Sequence, residues 1–147
     1  MVKTSLLVLL LLAVLCFPCL ASEKIDGSSP DSLKQSIDRI ADELDRDRRK
    51  DFNEAIIVWY TKAVHSAAMD YKENYGHPPE DDDLDDEDIS LIAAEYLEGM
   101  TAEEVTEEAR AIDEEELVRE LEDMGLSHPL DLRVDLDGLI RVFRLFF

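Results

Sequence analysis

The chain has 147 residues, of which 36 are Asp or Glu and 15 are Lys or Arg, for a formal net charge of −21. Such a field repels the phosphates of nucleic acids and of anionic lipids, which bind Lys/Arg surfaces, and it suits basic proteins, divalent cations or plain solubility. The length fits one small domain with a core large enough to fold alone.

Met1, Val2 and Lys3 precede an apolar run from Leu6 to Leu15, and Cys19-Leu20-Ala21 stand before Ser22. A charged head, an apolar stretch and a small-residue cleavage site form the pattern of a secretory signal peptide. The run is shorter than the ~20 apolar residues that span a bilayer. Residues 1–21 are therefore expected to be removed after Ala21. The product would be an exported chain, periplasmic or secreted, with no stable membrane anchor. Both cysteines, Cys16 and Cys19, fall in this leader. The exported chain is thus expected to hold together by packing rather than by disulfides. Leu15 and Pro18, which precede the two cysteines, are not the small residues found before a lipid-anchor cysteine. The chain has no Asn-x-Ser/Thr acceptor for N-glycosylation.

Residues 22–28 are polar and read as a mobile lead. Ser29-Pro30 starts a helix, with Ser as N-cap and Pro in the first turn. Leu33, Ile37, Ile40 and Leu44 give its apolar stripe. Asp45 to Asp51 is a charged stretch where that helix is expected to break. Phe52, Ala55, Ile56, Trp59, Ala63 and Ala67 form the next stripe, thickened by Ile57, Val58, Tyr60 and Val64, which predicts the most buried helix. Gly76-His77-Pro78-Pro79 ends it, so residues 29–79 read as a helical hairpin. Residues 80–88 hold eight acids broken only by Leu84 and read as an exposed linker.

Residues 89–125 form a second helical region. Ile89, Ile92, Ala93, Tyr96 and Leu97 make a third stripe, closed by Gly99. Thr101 and Glu104 form a capping box, with Met100 and Val105 as its hydrophobic staple. Asp113 with Glu116, flanked by Ile112 and Leu117, repeats the device. Thr101–Ile112 and Asp113–Met124 are thus two short helices with a bend between them, and Gly125 ends the second. In the tail, 126–147, Leu130, Leu132, Val134 and Leu136 alternate with charged residues up to Asp137-Gly138, a hairpin signal; a short apolar helix from about Asp135 is the rival. The expected fold is mainly α, a bundle of four to five short helices, with a C-terminal β-hairpin or short apolar helix.

Three stretches stand in a specific order. Ile25-Asp26-Gly27-Ser28-Ser29 is followed by Ser32-Leu33, Ser36-Ile37 and Ile40. Phe52 stands with Glu54, Ala55 and Ile56. Leu97-Glu98-Gly99-Met100-Thr101-Ala102-Glu103-Glu104-Val105 leads to Glu108, Ala109 and Ile112. In this placing, from Ile25 to about Ile112, the chain resembles a family of small bacterial envelope proteins, often lipoproteins, of unknown function. The resemblance implies a compact helical envelope protein, with no catalytic residues to carry over. The chain departs from the family pattern in lacking a lipid-anchor cysteine, and in its acidic insert and apolar tail.

The acidic run offers Asp81, Asp83, Asp85 and Asp88 as weak metal candidates, because hard cations take carboxylate oxygens. The run lacks a turn glycine and a spaced ligand set, so a solvated linker is the simpler reading. Asp135-x-Asp137-Gly138 looks like the middle of a calcium loop, but Arg133 and Arg144 fall at its first and twelfth positions, where carboxylates are required. His65, His77 and His128 form neither a His-x-x-x-His nor a Glu-x-x-His pair, so neither a zinc nor a di-iron site is expected. There is no Gly-x-Ser-x-Gly elbow, and with 36 acids, carboxylate pairs arise by chance. The expectation is a protein that is not an enzyme and carries no cofactor.

Trp59 reads as core. Tyr71 and Tyr75, one turn apart, are candidates for a partner surface. The alternating Leu139, Arg141, Phe143, Leu145 and Phe147 either pack over the helices or form an interface, including a homodimer contact. Phe143, Phe146 and Phe147 join the two tyrosines as partner-binding candidates. Together these features describe an exported, acidic, non-catalytic protein-binding module of the cell envelope, of which an immunity or inhibitor protein is one form. The alternative is a low-affinity divalent-cation binder using residues 80–88.

Overall fold

A computed structural model describes residues 23–80 and 83–126. The signal-peptide reading of residues 1–21 and the hairpin reading of the tail from residue 127 lie outside the described residues. Five helices follow one another: α1 Pro30–Glu43, α2 Arg46–Tyr75, α3 Asp86–Leu97, α4 Ala102–Ala109 and α5 Glu114–Asp123. The architecture is mainly α, and among the described residues the one β feature is an isolated antiparallel bridge between Lys24 and Thr101.

Each helix begins on a side-chain cap that satisfies a backbone N–H left free in the first turn. Ser29 Oγ accepts from Ser32 N at 3.1 Å, and Asp45 Oδ1 accepts from Asp47 N and Arg48 N. Asp85 and Asp113 do the same for Glu87 and Glu116. Thr101 and Glu104 form the full box: Glu104 N donates to Thr101 Oγ1, and Thr101 N donates back to Glu104 Oε2 at 2.8 Å. Gly76, Gly99 and Gly125 end α2, α3 and α5 with φ of 76°, 75° and 82°, a conformation that side chains resist.

Four boundaries differ from the sequence reading. The break after α1 is confined to Leu44-Asp45, and the charged stretch from Arg46 opens α2. Arg and Lys are good helix formers, and Arg49 reaches back to donate from Nη2 to the Asp42 carbonyl of α1 at 3.1 Å. The linker stops at Asp85, because Asp86, Glu87 and Asp88 form the acidic first turn of α3, where carboxylates meet the positive end of the helix. α4 ends at Ala109, so residues 110–112 form the turn before α5.

The fourth difference is residues 23–28, which are bound rather than mobile. Ile25 is 2% exposed; its N–H donates to Met100 O and its carbonyl accepts from Gly99 N, both at 2.9 Å. Asp26 N donates to Ser36 Oγ, which in turn donates to Leu33 O, so the buried Ser36 hydroxyl is fully used. Glu23 pairs with Arg39 of α1. Gly27 lies so close to α3 that a Cβ there would stand 2.5 Å from the Ala94 carbonyl oxygen.

The thirty-residue α2 is the spine, packing against all four other helices, while α1 also meets α3. The core joins Leu33, Ile37 and Ile40 of α1 to Phe52, Ile56, Trp59 and Val64 of α2, Ile89 and Leu97 of α3, Val105 of α4 and Leu121 of α5. Buried Ala63, Ala68, Ala93, Ala94 and Ala109 provide small surfaces between the helices. Trp59 ties three helices together: its Nε1–H donates to Val105 O at 3.2 Å, its ring lies 5.9 Å from that of Tyr96, and the Lys62 ammonium stands 4.7 Å from both ring centres. His65 Nε2 meets Glu120 Oε2 at 2.6 Å and anchors α5 on α2.

Candidate functional site

The end of α2 gathers the one described cluster of sequence-chosen site residues. Tyr71 and Tyr75 are one turn apart, and helical spacing places their rings on one face. The ring centres are 4.4 Å apart with the planes tilted by 31°, so the two rings are in contact. After Gly76 the chain turns back and brings the His77 ring to 5.6 Å from Tyr71, nearly edge-on at 70°, and to 6.5 Å from Tyr75. His77 Nδ1 donates to the Pro78 carbonyl at 2.8 Å, which orients the imidazole, and Pro79 beyond it is buried. Tyr75 remains 65% exposed.

Acids border this stack. Glu80 N donates to Asp83 Oδ2 at 2.8 Å and Asp83 N donates to Glu80 O at 2.9 Å, a closed turn. Desolvation, then the nearby Asp83 carboxylate and the charge of Glu80, raise the Tyr71 phenol above its ordinary range. The corner therefore sets the exposed Tyr75 and His77 rings near the Asp83 carboxylate, an arrangement that favours a cation.

Among the described residues, Asp83, Asp85 and Asp88 do not come together as a ligand set. Asp81 lies outside the described residues. Asp83 and Asp85 each spend an oxygen on a backbone N–H, and Asp88 belongs to the first turn of α3. No group of three His, Cys, Asp or Glu that could hold a metal ion occurs among the described residues. Phe143, Phe146 and Phe147 lie outside the described residues. Sequence reasoning missed His77 as the third ring; the Gly-His-Pro-Pro turn that folds it back was the available signal.

Charge is distributed unevenly around the site. Residues 23–72 carry 11 acids and 9 basic side chains, whereas residues 73–126 carry 22 acids against Arg110 and Arg119. The stacked tyrosines stand at the border between the two. No helix among the described residues is long and apolar enough to cross a membrane.

A protein-family model, described as a family of unknown function (DUF6694), matches residues 5–114. The match takes in α1 to α4 and ends at the first residue of α5. No curated protein and no solved structure matches the chain.

Proposed function

The chain belongs to this family of unknown function, and from that premise we propose that it is an exported, non-catalytic module of the cell envelope that binds a basic protein partner. The observation that carries the reading is the exposed Tyr71–Tyr75–His77 stack set beside Glu80 and Asp83, at the edge of the acidic half of the molecule. A lysine or arginine of a partner would gain from the ring faces and from the carboxylates together. The wider negative field would steer such a partner and speed its encounter. An immunity or inhibitor protein acting on a basic target is one concrete form. Export rests on the pattern of residues 1–21, and the bacterial envelope setting rests on the likeness of residues 25–112 described above.

Two measurements test this reading. The N-terminus of the chain recovered outside the cytoplasm is expected to be Ser22. The chain and its Tyr71→Ala/Tyr75→Ala variant are then immobilised and challenged with an envelope extract at low and at high salt. The expected result is one basic protein, retained by the parent chain, released by salt, and held about tenfold more weakly by the variant, the ~1.4 kcal/mol scale of lost cation–ring contacts. Equal retention by both chains, or retention that ignores salt, would overturn it.

A further inference from the structure

At the opposite end of α2 from the tyrosine stack, α2 and α4 leave an open channel that continues onto α5. Its first part, about 520 Å³, lies between Arg48 and Glu107; the second, about 500 Å³, is floored by Ala55, Ile57, Val58 and Ala109; the third, about 340 Å³, runs along Val118. Asp51, Thr106 and Arg110 border both of the first two parts, and Glu114 borders the last two, so the three depressions adjoin one another. Its floor is apolar, yet Ile57, Val58 and Val118 are only half-buried. Its walls carry seven carboxylates and three arginines, a net negative lining.

The chain contains a segment of complementary chemistry. Leu139–Phe147 is seven apolar residues with Arg141 and Arg144 and no acid. We propose that Leu139–Phe147 occupies this channel of its own chain, with apolar side chains over Ile57, Val58 and Val118 and the two guanidinium groups among the wall carboxylates. The tether allows it. The ends of α5, Glu114 and Asp123, are separated by about 14 Å at the helical rise of 1.5 Å per residue. Residues 127–138 could reach roughly 40 Å if extended. The face suits the segment twice over, because an apolar floor lies beside carboxylates that outnumber the arginines. The inference is independent of the proposed function, which uses the other end of α2.

The test uses the full chain with Phe143→p-benzoylphenylalanine, irradiated at low protein concentration and read by gel mobility and peptide mass spectrometry. The expected product runs as a monomer and joins Phe143 to the peptide holding Ile57 and Val58 or to the one holding Val118. Val58→Glu, at a half-exposed position, is expected to lower the yield at least tenfold while helicity is unchanged. Arg141→Glu/Arg144→Glu is expected to do the same without touching the helices, and it decides the matter if Val58→Glu unfolds the chain. Cross-links between two copies, cross-links elsewhere on the molecule, or none at all would overturn the proposal.

Discussion

The N-terminal segment, α1 and α2 pair several of their outer carboxylates with side chains: Glu23 meets Arg39, Asp42 meets Arg49 and Glu54 meets Lys50. α3, α4 and α5 have few cations to use: Glu116 meets Arg119 and Glu120 meets His65 of α2, and the helix N-termini favour much of the remaining charge. Eight of their acids sit in first turns, and Asp85 and Asp113 serve as caps. The difference in helix length follows the same division, 30 residues for α2 against 12, 8 and 10 for the last three. Each new helix N-terminus is another place where negative charge is favourable. A segment rich in acid is therefore most comfortable when divided into short helices, each opened by its own cap. The two regions nevertheless share one core, so they differ in surface electrostatics rather than in the source of their stability.

The strongest way to break that picture is to attack the shared core. Phe52 is fully buried on α2 where α1 and α4 approach, and Phe52→Ala is expected to cost about 3–5 kcal/mol. Unfolding followed by Trp59 fluorescence and by circular dichroism should still coincide in the variant. Two separate transitions would mean that the charge-balanced and acidic regions are independent units.

Next in size is the clasp that joins the regions. Gly27→Ala sets a methyl group against the Ala94 carbonyl and must displace either the N-terminal segment or α3. The expected loss is about 1–3 kcal/mol, with faster hydrogen exchange at Ile25 N–H as its local signature. An unchanged exchange rate would show that the segment is held without Gly27.

Smaller and local to the acidic region is the cap of α4. Thr101→Ala removes the hydroxyl that accepts from Glu104 N and is expected to cost ~1 kcal/mol in denaturant unfolding. Ser29→Ala, the equivalent change on α1, should cost a similar amount. A much larger loss at Thr101 would mean that the cap also holds the Lys24 bridge in place.

The smallest effect is a pH dependence. The Thr101 N–H and then its hydroxyl hold the Glu104 carboxyl below the ordinary carboxylate range. The folded chain thus takes up this proton less readily than the unfolded chain. The stabilisation is complete above the unfolded pKa and disappears as pH falls through the lower folded one. Stability curves for the parent chain and Glu104→Gln should lie apart at neutral pH and converge below about pH 4. Parallel curves would detach the carboxylate from the cap.

How far each feature was legible depends on the range of its cause. Ser29, Thr101 with Glu104, and Asp113 were read correctly as caps, because partner and cap are three residues apart, although the Glu116 side chain does not return the bond that a second box requires. Tyr71 and Tyr75 were recognisable as a pair for the same reason. Asp45 and Asp85 were harder, since a cap inside a charged run looks like the rest of the run. Only the direction of the following helix, with its positive end toward the acids, separates linker from first turn. Ile25 was misread because its partners, Gly99 and Met100, lie some 75 residues further along the chain. His77 was missed because a turn, rather than helical spacing, brings it onto Tyr71.

Sequence by itself determined the helical class, the apolar stripes of the first three helices, three of the helix caps and the excess of acid after residue 72, because periodicity, capping and charge are local properties. Tertiary structure alone decided that residues 23–28 close over α1, α3 and α4, that Lys62 bridges Trp59 and Tyr96, that His65 takes Glu120, and that α2 and α4 leave a channel between them. Each of these joins groups far apart in the chain, and which of them meet is set by the packing of α2 against its four neighbours.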